Sequence, residues 1–109
     1  MTNPLKGEMM ITLGKKQYKT RLTIDAIIKI ENELGDGILA ITHRLGEANI
    51  RVTELRTVLL HAMRGGGNDV QEKDVSKLIG ESGIVVACRA VAELLASTLV
   101  AKEDGEQSS

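Results

Sequence analysis

Residues 9–35 read MMITLGKKQYKTRLTIDAIIKIENELG, and within them the hydrophobic pattern changes from alternation to helical spacing. Met9, Ile11 and Leu13 alternate with Met10 and Thr12, Gly14-Lys15 offers a tight turn, and Tyr18, Thr20 and Leu22 alternate again, which predicts a β-hairpin. An isolated hairpin is marginal in water, so its apolar side must lie on whatever follows. Thr23 then suits an N-cap and Asp25 falls in a first helical turn, where the helix dipole favours negative charge. Ile24, Ile27, Ile28, Ile30 and Leu34 form one apolar stripe, read as core-facing, and Gly35 is placed to end the helix.

Working outward, Asp36-Gly37 breaks the chain before a short helix, Ile38 to Leu45, that Gly46 stops. Another helix is expected over Val52–Arg64. Val52, Leu55, Val58, Leu59, Ala62 and Met63 line one side of it, and Glu54, Thr57, His61 and Arg64 take the polar side. Gly65, Gly66 and Gly67 follow as a helix-stopping, flexible linker. A short polar helix over 71–79 ends at Gly80. A long last helix over 82–101, capped by Ser82, has Ile84, Ala87, Cys88, Val91, Leu94, Leu95 and Leu99 as its core stripe. Residues 102–109 are charged or small and read as a disordered acidic tail. The expected fold is α+β: one domain over 1–101, an N-terminal β-hairpin packed on a bundle of four to five α-helices.

The 109 residues include no Phe, no Trp and one Tyr, so aliphatic side chains must fill the core and no aromatic platform exists for stacking bases or sugars. The net charge of −1 argues against a phosphate-binding surface. Charge is unevenly placed: Lys6, Lys15, Lys16, Lys19 and Arg21 lie early, and Glu103, Asp104 and Glu106 lie late. Solvated segments account for this distribution. The single Cys88 fits a reducing compartment, the first ten residues lack a signal-type apolar run, and no stretch approaches the roughly 20 apolar residues of a membrane span. A cytosolic, soluble protein is expected.

Chemistry-bearing patterns are sparse. The triple glycine follows a helix and lacks the Lys-Ser or Lys-Thr of a phosphate-binding loop. His43 and His61 stand alone, without zinc-ligand spacing, and His61 is read as solvated on a polar face. Cys88 is read as a buried structural thiol. Glu31 and Glu33 point apart and form no acid/base couple. No catalytic residue, cofactor or metal is therefore expected. Glu31 falls inside the apolar stripe and has two readings. It either reaches water at the stripe's edge, or acts as a structural buried carboxylate accepting from backbone N–H groups or an arginine. On the last helix, Val86 and Val100 lie opposite the core stripe with Val85 at the flank. They are either scattered surface residues or a candidate partner surface.

The segments NPLKGE, LTIDAIIKIENELG and LRTVLLHAMRGGG together resemble the small tail proteins of gene transfer agents and long-tailed phages. The matching positions are Asn3, Pro4, Gly7, Glu8, Leu22, Thr23, Ile30, Glu31, Leu34, Gly35, Arg64, Gly65 and Gly66, with an Ala-rich final helix. The chain departs at Asp25, where the family commonly has Gly, and in its extra isoleucines. The resemblance spans the chain to about residue 100 and implies a non-catalytic tail assembly protein of the host bacterial cytoplasm. It would act as a chaperone on the tape-measure protein, with tail-tube subunits and self-association as further contacts, and without nucleic acid or membrane partners. The alternative it leaves is a tube or terminator subunit retained in the particle. A small DNA-binding regulator is a third reading from helical content and the basic early residues.

Overall fold

The computed structural model describes residues 8–107, with side chains described as far as Leu99. Two antiparallel strands, β1 (Glu8–Leu13) and β2 (Lys16–Arg21), are followed by α1 (Ile24–Leu34), α2 (Ile38–Gly46), α3 (Val52–Gly65), α4 (Glu72–Ser82) and α5 (Ile84–Gln107). The fold is α+β, as the sequence predicts. In the hairpin Ile11 pairs with Tyr18 and Leu13 with Lys16, and Gly14 supplies the positive φ of the turn. Ile11, Leu13 and Thr20 are buried on the face turned to the helices. The Thr20 hydroxyl donates to the Met9 carbonyl at 2.7 Å, which satisfies it inside the core.

α1 begins and ends on the residues its sequence nominates. Thr23 Oγ1 accepts from the Ala26 N–H at 3.0 Å, and Gly35 takes the left-handed conformation at φ 69°. Other boundaries shift. Gly80 does not stop α4; the positive φ comes at Gly83, where a side chain would be strained. Ser82 is consequently the last residue of α4 and not the cap of α5. The backbone of α5 continues to Gln107, past Ala101 where the sequence reading ends it. The N-terminal Asn3–Gly7 matches, Lys6, and the side chains of the acidic tail lie outside the described residues.

α3 is the central element: it packs against β2, α1, α4 and α5. The core joins its Leu55, Val58, Leu59, Ala62 and Met63 to Ile30 of α1, Ile41 of α2, Val75 and Ile79 of α4, and Val91, Leu94 and Leu95 of α5. With neighbours on every side, α3 has no solvated middle. Glu54, Thr57 and His61, read from the sequence as its polar face, are buried. Peripheral α1 shows the opposite departure. Of its stripe only Ile30 is buried, Ile27 and Leu34 are partly covered, and Ile24 and Ile28 face solvent, while Ala26, outside the predicted stripe, is buried. At the start of α5, Ile84 is likewise exposed and Cys88 is only partly buried.

Candidate functional site

The buried polar groups of α3 are placed by the ends of α2 and α1. Glu54, in the first turn of α3, accepts from the Arg51 N–H at 2.9 Å, meeting one of the unsatisfied donors at the helix start. Its two oxygens also receive the two arms of Arg44 from the last turn of α2, one at 2.8 Å. Such a fork-to-fork pair is geometrically specific. Arg44 further donates to Asp36 at 3.2 Å in the link before α2. The hydrogen bonds from Arg44, and secondarily the Arg51 N–H, hold the Glu54 carboxyl below its ordinary range against the opposing effect of burial. Glu54 in turn holds the Arg44 guanidinium protonated above its usual value. The cluster ties the end of α2 to the start of α3.

His61 is a correction to the sequence reading. It is 7% exposed, and its Nε2 lies 2.7 Å from Glu33 Oε2 on α1. The facing α1 covers the imidazole, and a helical wheel drawn for α3 alone contains no sign of that neighbour. His43, by contrast, is exposed beside Glu47. Glu31 is partly buried, and its Oε2 accepts from the Ile38 N–H at 2.8 Å. It thus supplies a side-chain acceptor at the first residue of α2, whose own N-cap, Gly37, has none.

The glycines after Arg64 are a second correction. A Cβ on Gly65 would come 2.1 Å from the Arg21 carbonyl oxygen, and one on Gly66 would come 2.2 Å from that of Lys19. The end of α3 is pressed backbone-to-backbone against the outer edge of β2, which leaves no room for a side chain. Asn68 completes the joint: its side-chain amide donates to the Lys19 carbonyl at 2.7 Å and to that of Met63 at 3.0 Å. The glycines end α3 as expected, but Gly65 and Gly66 do so in a close-packed seam and not in a flexible linker. A Gly-Gly pair reads alike for either role in sequence; the partner strand alone distinguishes them.

Of the valines singled out, Val85 is 69% exposed beside exposed Ile84. Val86 is partly buried against the core, in a shallow depression with Thr12, Arg89 and Glu93. The Val100 side chain lies outside the described residues. Further exposed large apolar residues were not among the candidate partner residues. Ile24 is 72% exposed, Ile28 47% and Leu39 70%. The sequence contained that signal, since five large apolar residues on an eleven-residue helix exceed what one neighbour can cover. Among the described residues no group of three or more His, Cys, Asp or Glu is placed to hold a metal. No helix among them is long and apolar enough to cross a membrane.

A hairpin-capped helical scaffold emerges, with its ionisable clusters joining one element to the next and its apolar surplus on the outside. It is a domain of the phage tail type: the family model described as phage tail tube protein, GTA-gp10, matches residues 6–101, and the chain belongs to that family. The comparison establishes a tail protein in the class of gene transfer agents and phages, as the resemblance of the sequence implies. No curated protein and no solved structure matches the chain.

Proposed function

We propose that this chain is a non-catalytic tail assembly protein that binds the tape-measure protein as a chaperone during tail morphogenesis. The observation that carries this reading is the family match combined with how the polar groups are used. Arg44, Glu54, Asp36, His61, Glu33 and Glu31 all bind groups of the same chain. Exposed apolar helix surface remains open to a partner. An amphipathic helix, the form expected of a tape-measure segment, is recognised by such surface through apolar side chains at one-turn spacing. We assign the first contact to the start of α5, where Val85 and Ile84 stand exposed.

The printed description of the family favours a second reading, a tail-tube subunit retained in the particle. Quantitative mass spectrometry of purified particles separates the two. A chaperone is absent from particles and co-purifies from producing cells with the tape-measure protein. A tube subunit is present in copies set by ring symmetry. On the chaperone reading Val85→Ser weakens capture of the co-expressed tape-measure protein without lowering the melting temperature, and unchanged capture contradicts the α5 assignment.

A further inference from the structure

We infer that the outward ridge of α1, Ile24 and Ile28 extended by Leu39 of α2, is a self-association surface on which a second copy of this chain packs antiparallel. The ridge is continuous. Ile24 and Ile28 are four residues apart and lie one above the other on the helix. Leu39, near the start of α2, is also exposed, and Glu31 joins the end of α1 to that start by accepting from the Ile38 N–H. Two of the three residues are about 70% exposed. Large aliphatic side chains grouped in this way mark a contact surface more often than isolated ones do.

The pattern of charge identifies the occupant. Asp25 and Lys29 each directly follow one of the isoleucines, so both lie on the same flank of the ridge. Both are exposed, and neither makes an ion pair within its own chain among the described residues. An antiparallel partner related by a two-fold axis between Ala26 and Ile27 presents the same flank on the same side. That axis brings Ile24 opposite the partner's Ile28, and Asp25 opposite the partner's Lys29. Each match falls within one residue, about 1.5 Å along the helix. Both pairings occur twice, as an isologous interface requires. A helix of different sequence would match the apolar ridge but would have no reason to mirror the Asp25–Lys29 spacing. Three apolar residues a side fall short of the roughly 1,200 Å² that stable complexes bury. The dimer is therefore weak and depends on concentration.

The test uses the full chain in sedimentation equilibrium over a concentration series, with helicity checked by circular dichroism. Wild type shifts from monomer towards dimer as concentration rises. Ile24→Ser/Ile28→Ser keeps its helicity and associates at least ~10-fold more weakly. Asp25→Lys alone, with four lysines facing one another across the axis, stays monomeric, and so does Lys29→Asp alone. An equimolar mixture of those two variants forms a heterodimer at concentrations where neither self-associates, because each lysine then meets an aspartate. The inference is overturned if wild type remains monomeric throughout, if the serine variant associates as wild type does, or if the mixture is no better than its components. A wild type that stays monomeric but binds tape-measure fragments through Ile24 and Ile28 also overturns it, while leaving the chaperone reading intact.

Discussion

α3 and α1 are neighbours of similar length that depart from their sequence patterns in opposite directions. α3 buries an acid and a histidine, whereas α1 leaves two isoleucines in water. The cause is position. α3 has four elements around it and α1 chiefly one, so the arc each helix can bury is fixed by its surroundings. Amphipathicity measures how many apolar residues could be covered; the packing decides how many are. Where α3 buries more than its apolar stripe, hydrogen-bonded partners offset the desolvation cost of the polar residues. Where α1 buries less, the surplus is available to a second molecule.

The largest effect expected from disturbing this contrast is at the seam that holds the end of α3 against β2. Gly66→Ala should lower stability by about 3 kcal/mol in urea unfolding, since a methyl there meets the backbone of Lys19 and Thr20 and the strand must move. A loss within experimental error would show that the seam is loose. Glu54→Gln should cost less, but more than the ~0.5 kcal/mol band of ordinary surface changes. It also carries a pH signature. The folded carboxyl sits below its unfolded value, so its contribution is full above the ordinary carboxylate range and is lost as pH falls through the folded value. Wild type should therefore lose more of its neutral-pH stability on acidification than Glu54→Gln does. Parallel acid profiles would show that the Arg44 pair adds nothing. Glu31→Ala removes the side-chain acceptor for the first N–H of α2 and should cost about 1 kcal/mol. A null result would assign Glu31 to the solvent edge. The smallest effect belongs to α1: Ile24→Ser/Ile28→Ser should shift the urea midpoint little, each substitution staying within ~0.5 kcal/mol.

Local structure was legible at the hairpin and around α1, where residues act on their own segment. The hairpin register, the Thr23 cap and the Gly35 stop all follow from side chains acting within a few positions of themselves. Residues that act across the fold were not legible in the same way. His61 needs Glu33, 28 positions away, and Gly66 needs the Lys19 carbonyl, which no local pattern announces. Arg44 and Glu54 are ten positions apart with a helix boundary between them, so neither wheel contains the other. Glu31 was conspicuous because a carboxylate inside an apolar stripe demands an explanation, and the Ile38 N–H provides one. Gly80 and Gly83 show the same limit at a boundary. The sequence reading stops the helix at Gly80, and only the backbone conformation selects Gly83.

Ile28 and Ile30 test the central contrast most directly, because they are chemically identical, two positions apart and assigned to opposite sides of one helix. Ile30 is fully buried and Ile28 about half exposed. Urea unfolding of the two single serine variants should place Ile28→Ser within ~0.5 kcal/mol of wild type and Ile30→Ser at least ~3 kcal/mol below it. Equal losses at the two positions would mean that the outer ridge of α1 is core after all, and the account of α1 as a contact surface would be contradicted.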